Sequence, residues 1–297
     1  MIKTHDLSKT YRSCGALRAL SLKVAEGSAF ALVGANGAGK TTLIKILVNL
    51  IQASSGSAYV LGVDSRQLSP QQFRRIGYVS ENQELPGRLT VSGYLNYLRP
   101  FYPDWDIALE REITQRFKLP GDRKINELSH GMRVKMALAC ALPYHPRLLI
   151  LDEPFSGLDP LVRDEFMEGL AAQAGDMTVL ISSHDLGEVE GFATDIAFVD
   201  SGRLLFQEPL ETLTDRVQQI KVTVERQSTR RDAVPETWID IQETGNVLTF
   251  VDTQFSEFDL GERIRSRIDG VRDIEVQPMS LRAIFTSISR ATRSVQE

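Results

Sequence analysis

Residues 34–42 read Gly34-Ala35-Asn36-Gly37-Ala38-Gly39-Lys40-Thr41-Thr42, which sets three glycines, a lysine and two hydroxyls at the spacing G-x-x-x-x-G-K-T. That chemistry grips phosphate. Glycine lets the backbone curl so that successive N–H groups face one point, and a helix starting there adds about +0.5 of a charge at its N-terminus. Lys40 is placed to reach β- and γ-phosphates, and the Thr41 hydroxyl to ligate the Mg²⁺ that bridges them. The apolar run Ala29-Phe30-Ala31-Leu32-Val33 reads as a buried strand and Leu43-Ile44-Lys45-Ile46-Leu47 as a helix, so the loop has a strand-loop-helix setting. A plain glycine turn, the competing reading, does not explain those flanks.

Phosphate chemistry also needs a carboxylate for the metal and a group to orient or deprotonate water. Arg147-Leu148-Leu149-Ile150-Leu151 is a continuous apolar strand ending in Asp152-Glu153-Pro154. Both carboxylates therefore emerge at a strand's C-terminal end, where open parallel sheets place their ligands. Asp152 suits the metal and Glu153 the water. His184 follows the strand Thr178-Val179-Leu180-Ile181-Ser182 and can donate to a γ-phosphate; taken alone, such a residue is more often an ordinary polar group at a strand end. Tyr11 precedes the phosphate loop, and its ring either packs or stacks on adenine.

Around these residues the segments alternate strand, helix, strand, helix, the pattern of a parallel sheet with right-handed crossovers. Residues 1–33 form short alternating runs broken at Glu26-Gly27, an antiparallel β portion. A helix is expected over 40–51, strands over 57–62 and 76–80, and a mainly helical stretch over 85–118. That stretch carries Tyr94, Tyr97, Phe101, Tyr102 and Trp105, which serve either core packing or a partner surface. Ser129 stands at an N-cap ahead of a helix to about 142, and Pro160 opens another to 174. From about residue 218 the composition shifts to a small α+β appendage with no recognisable chemistry.

The chain has 297 residues, a formal net charge of −5 and two cysteines, Cys14 and Cys140. Length permits one large domain or a large one plus a small one. The negative charge argues against a nucleic-acid coat, and two distant cysteines suggest neither a disulfide framework nor a zinc site. The N-terminus lacks the apolar core of a signal peptide, and no uninterrupted apolar run approaches the ~18 residues of a membrane span, so membrane contact is expected to run through a partner.

Together, Gly34 to Thr42, Leu128-Ser129-His130-Gly131-Met132, Leu148 to Pro154, Ser156-Gly157-Leu158-Asp159 and His184 resemble the ATP-binding cassette ATPase of ABC transporters, over about residues 1–210. The resemblance implies an α/β P-loop NTPase fold: a RecA-like core, an antiparallel β subdomain and a helical subdomain at about 85–143, forming a domain over 1–217, with the appendage at 218–297. It implies ATP and Mg²⁺ as ligands, Glu153 and His184 with Lys40 as catalytic groups, and Thr41, Glu81 and Asp152 at the metal. Nucleotide binding falls to Tyr11, Gly34, Asn36, Gly37, Ala38, Gly39, Lys40, Thr41 and Thr42, with Ser129 and Gly131 facing ATP held by a second cassette.

Two stretches depart from the family's pattern. The signature commonly reads Leu-Ser-Gly-Gly-Gln, and His130 and Met132 replace the first glycine and the glutamine; Glu81 stands where the family usually has a glutamine. The resemblance further implies a second ATPase subunit, identical or paralogous, and an integral-membrane permease that holds the chain on the cytoplasmic face of the membrane, with no nucleic acid. The aromatic, proline-punctuated segment looks more like two-subunit exporters than importers. A soluble ABC ATPase acting on ribosomes or nucleic acid is the alternative, though such proteins usually carry two cassettes or long coiled coils; a P-loop kinase would leave residues 128–132 and His184 unexplained.

Overall fold

The computed structural model describes residues 1–12, 14–81, 83–175, 177–225 and 234–294. It divides into two compact units, Met1–Gln207 and Glu208–Glu297. The division falls ten residues before the compositional shift at 217/218. Arg216 is the reason: it pairs with Glu208, donates Nη1 to the Thr253 carbonyl at 2.6 Å, and accepts from Phe255 N at 2.8 Å, so the short helix it closes belongs with the second unit.

The first unit begins with β1 (Ile2–Tyr11), β2 (Cys14–Leu20), β3 (Lys23–Val24) and β4 (Ala29–Val33), then α1 (Lys40–Leu47), β5 (Ser55–Val60), β6 (Val63–Asp64), α2 (Pro70–Phe73) and β7 (Ile76–Ser80). After these come α3 (Val91–Leu98), α4 (Ile107–Arg116), α5 (His130–Ala141), β8 (Leu148–Asp152), α6 (Pro160–Ala174), β9 (Thr178–Ser183), β10 (Asp195–Asp200) and β11 (Arg203–Pro209). Helix α1 is shorter than the expected 40–51 because Asn49 takes a left-handed φ of 56°, which stops an α-helix.

Two sheets build this unit. One has five strands in the order β2-β1-β5-β6, with β3 also on β1; β1 runs antiparallel to β2, β3 and β5. The other has six, ordered β11-β10-β4-β9-β8-β7, with β10, β4, β9, β8 and β7 running parallel to one another. Strands β8 and β9 are buried along their whole length, as expected of parallel strands covered on both faces. Phe30, Leu32, Ile44, Leu148, Ile150 and Leu180 form the core with Leu7, Leu20 and Val60 from the antiparallel sheet.

The register decides what the sheet can do. Val33 lies beside Ser183, Asp152 beside Ser182, and Ser80 beside Asp152. Gly34, Glu81, Glu153 and His184 are each within one or two residues of these partners and leave the sheet at its carboxyl edge.

The helical stretch sorts its aromatics. Asp106 caps α4 by accepting from Ala108 N and Leu109 N at 2.8 and 3.0 Å. Tyr102 stacks on buried Tyr144 with centroids 4.0 Å apart, and Trp105 Nε1 donates at 2.8 Å to buried Glu110, which also receives both arms of Arg99. These are packing residues. Tyr97 and Phe101, 58% and 53% exposed and 5.4 Å apart, face solvent.

The second unit contains α7 (Leu210–Arg216), β12 (Gln218–Val224), β13 (Trp238–Thr244), β14 (Val247–Asp252), α8 (Leu260–Arg265), β15 (Val271–Gln277) and α9 (Leu281–Ser294). Its four-stranded antiparallel sheet has the order β13-β14-β12-β15. Trp238 stacks on Phe250 at 4.1 Å in a separate core with Ile220, Val222 and Ile264.

Leu180 sits fully buried in β9. Leu180→Ala should lower the first unit's stability by about 2–5 kcal/mol, read in urea as a lower midpoint with an unchanged slope.

Candidate functional site

The loop after β4 is shaped by two glycines that no other residue replaces. A Cβ on Gly34 would stand 2.2 Å from the Val199 carbonyl; Gly39 has φ 109°, and its Cβ would meet the Ala16 carbonyl at 2.5 Å. With both positions free of side chains, the loop lies flat against β10 and β2 and turns directly into α1. A cavity of about 320 Å³ opens there, lined by Asn36, Gly37, Ala38, Gly39, Lys40, Thr41 and Thr42 from the loop, by Glu81, Glu153 and His184 from the neighbouring strand ends, and by Ala16 and Ser156.

Lys40 is buried to 5% exposure. Its ammonium donates to the Gly34 and Ala35 carbonyls at 2.5 and 3.2 Å and forms an ion pair with Glu153 Oε1 at 2.9 Å. The other Glu153 oxygen accepts from His184 Nδ1 at 2.7 Å. A carboxylate oxygen only accepts in this contact, so the hydrogen resides on Nδ1. Glu153 itself has φ 50°, the left-handed region that a side chain of this size rarely enters, and its N–H donates to Ser182 Oγ at 2.9 Å.

Behind the cavity, Asp152 Oδ1 accepts from Thr41 Oγ1 at 3.1 Å and from Ser182 Oγ at 2.8 Å. Burial pushes the Asp152 carboxyl above its usual range, and the two hydroxyls act against that shift. Glu81 is tied to the same strand by its N–H, which donates to the Asp152 carbonyl at 3.0 Å, and its Oε1 accepts from Ser156 Oγ at 2.6 Å. Thr41, Asp152 and Glu81 thus offer only hard oxygen donors, a set that fits Mg²⁺ held by one or two carboxylates together with phosphate oxygens.

Ten of the residues singled out in the sequence line the cavity, and Gly34 and Asp152 stand directly behind it. Three lie away from it. Tyr11 is 45% exposed with the Lys9 ammonium 5.1 Å over its ring. Ser129 caps α5 by accepting from Met132 N at 3.2 Å. Gly131 lies where a Cβ would come within 2.9 Å of Val162 Cγ1, so α5 and α6 pack closely at that point. Sequence pattern does not single out Ala16 or Ser182, and it marks Ser156 only as part of the run 156–159. Ser182 carries a usable signal, a hydroxyl one residue before the end of a buried strand, but only strand register connects it to Asp152.

A phosphate loop between a parallel strand and a helix, with carboxylates and a histidine on the adjacent strand ends, defines a P-loop nucleoside triphosphatase. Residues 17–156 match the family described as ABC transporter. The chain is 32% identical over 213 residues to the lantibiotic transport ATP-binding protein SrtF of Streptococcus pyogenes, covering 70% of this chain and 90% of that protein. It is 29% identical over 224 residues to the ABC transporter ATP-binding protein YtrB of Bacillus subtilis, covering 75% and 76%. Among solved structures, the ATP-binding subunit of an ABC transporter superposes with a TM-score of 0.65 at 27% identity over 72% of this chain and 92% of that one. A cassette in a post-hydrolysis state bound to ADP and Pi superposes with a TM-score of 0.61 at 25% identity, over 71% and 99%. The chain belongs to the ABC transporter ATP-binding family and carries that family's ATP-binding ATPase cassette. No helix among the described residues is long and apolar enough to cross a membrane.

The hydrogen bond to Glu153 raises the His184 pKa above the ordinary imidazole value, with burial opposing. A raised folded-state pKa stabilises the fold below the unfolded value of about 6.5, and that contribution is lost as pH rises through the folded value. An NMR titration of His184 should accordingly give a midpoint above about 6.5, and Glu153→Gln should move it down.

Proposed function

We propose that this chain is the ATP-hydrolysing subunit of a transporter, in which two cassettes close around two ATP molecules and drive a separate integral-membrane permease. The second cassette is a copy or a paralogue, and the permease holds the chain on the cytoplasmic face of the membrane. One observation carries the reading: Lys40, Glu153 and His184 meet at one cavity, with Thr41 and Asp152 bonded directly behind them.

In this reading the N–H groups of the loop and the first turn of α1 receive the phosphates, with Asn36, Gly37, Ala38, Gly39 and Thr42 forming the cradle that Gly34 permits. Lys40 neutralises the γ-phosphate side. Thr41, Asp152 and Glu81 hold Mg²⁺, which when bound offsets charge on the β- and γ-oxygens. Glu153 accepts a proton from the attacking water, and His184, bonded to Glu153 through Nδ1, orients that carboxylate and presents its other ring nitrogen toward the cavity. Tyr11 stacks on adenine. Ser129 and Gly131, at the N-terminus of α5, face the ATP of the opposite cassette, where the helix dipole favours an anion. Hydrolysis removes the group that holds both halves together, so the open state is repopulated.

The exposed pair Tyr97 and Phe101 supports a partner surface on the helical segment, since aromatics anchor interfaces. We assign the direction as export, in line with that segment and with the lantibiotic-transport relative. A phosphonate-import relative at the same 32% identity means that identity alone does not fix direction. With the permease reconstituted in vesicles, ATP-driven loss of solute from the side carrying this chain means export, and gain there means import.

The catalytic assignment has its own check. Glu153→Gln should keep ATP binding, lower turnover by about 10²-fold or more, and accumulate an ATP-bound dimer by light scattering. Turnover within a few-fold of the unmodified chain would remove Glu153 from the role of base.

A further inference from the structure

Positions 81 and 130, where the sequence departs from the common family pattern, meet at a single serine. Ser156 Oγ donates to Glu81 Oε1 at 2.6 Å, and the Ser156 carbonyl lies 3.0 Å from His130 Nε2. A carbonyl only accepts, so His130 Nε2 carries the hydrogen and donates. The hydroxyl-to-carboxylate bond is charge-assisted, the stronger kind.

Backbone bonds hold the serine from the other side. Ser156 N donates to the Glu153 carbonyl at 3.2 Å, Leu158 N to the Phe155 carbonyl at 3.0 Å, and Glu81 N to the Asp152 carbonyl at 3.0 Å. Gly157, at φ 69°, turns the chain beside the imidazole, and a Cβ there would already touch the ring at 3.8 Å. Ser156 is therefore fixed in a short turn beginning at Glu153, with one hydrogen-bond arm reaching α5 and the other reaching Glu81. Glu81 in turn stands between two cavities: the nucleotide cavity of about 320 Å³ and a second of about 500 Å³, whose wall also includes His130.

We propose that His130 and Ser156 are positioning residues, and that His130, acting through the carbonyl and hydroxyl of Ser156, sets the orientation of the Glu81 carboxylate at the nucleotide cavity of its own chain. This rests on the reading of that cavity as the ATP site. It adds an intrachain route from the first residue of α5 to Glu81, separate from any contact α5 makes with nucleotide on another copy. Because Glu81 borders both cavities, a partner seated in the larger one would act on the nucleotide site through this same pair of bonds.

A mutant cycle on the full chain, read as Mg²⁺-dependent ATP turnover, tests it. His130→Ala should lower kcat about three- to tenfold, the worth of one hydrogen bond, with KM for ATP changed less than about twofold; Ser156→Ala should behave alike. His130→Gln, which keeps an N–H donor at similar reach, should recover most of the loss. In a Glu81→Ala background, His130→Ala should cost nothing further. If His130→Ala costs the same factor with Glu81 present or absent, or if His130→Gln recovers nothing, the route through Ser156 is overturned. In that case turnover that still depends on Glu153 leaves the ATPase reading standing, whereas a chain without turnover overturns that reading instead. The same cycle read as thermal midpoints needs no nucleotide: the double variant should lose less than the sum of the single losses, and additive losses overturn the proposed bonds on their own.

Discussion

Everything at the cavity depends on the parallel register of β4, β9, β8 and β7. These strands lie far apart in sequence, yet their last paired positions, Val33, Ser183, Asp152 and Ser80, fall along one edge. A slip of two residues in any one strand, which preserves its buried face, would carry its functional side chain about 7 Å along the edge. The apolar lining of β8 and β9 therefore does more than stabilise the core. It fixes the separation of Glu153 from His184 and from Lys40 to hydrogen-bond distance.

That arrangement concentrates charge in a partly buried place, and the local chemistry answers with partners. Lys40 would be costly at 5% exposure without the two carbonyls and the Glu153 carboxylate around it, since an isolated buried charge is strongly disfavoured. Asp152 takes its hydrogen bonds from hydroxyls rather than from a cation, and burial pushes its carboxyl above the usual range. The site is thus uneven: one carboxylate pairs with the Lys40 ammonium and the His184 ring, and the other takes its side-chain hydrogen bonds from two hydroxyls. A cation coordinated by Asp152 would supply what those hydroxyls do not.

The division between what is legible in the sequence and what is not tracks the range of the interactions. The phosphate loop, the Ser129 cap and the Pro160 start of α6 are local and can be read to the residue. The end of α1 cannot, because Asn49 adopts a left-handed conformation in the middle of a run whose apolar spacing continues. Ser182 and Ala16 escape for a different reason: their roles exist only through pairing with β8 and through the approach of β2 to Gly39, and no one-dimensional pattern carries that information. The aromatic run between 94 and 105 is ambiguous for the same cause: tertiary packing turns Tyr102 and Trp105 inward and leaves Tyr97 and Phe101 facing solvent. Gly131 shows the reverse: a position attributed to nucleotide contact also has a packing reason, the approach of Val162.

The left-handed backbone at Glu153 bears on how such a chain would drift over generations. A glutamate there costs on the order of 1 kcal/mol relative to a residue at ease in that region, and glycine or asparagine would lower the cost at once. Stability alone pulls position 153 both ways, because the same glutamate pairs with the buried Lys40 ammonium, which glycine or asparagine would leave without its carboxylate. In a lineage released from the need to hydrolyse ATP, the strain at 153 would be relieved at no net loss only if the charge at 40 went with it, so the two positions would be expected to change together rather than singly.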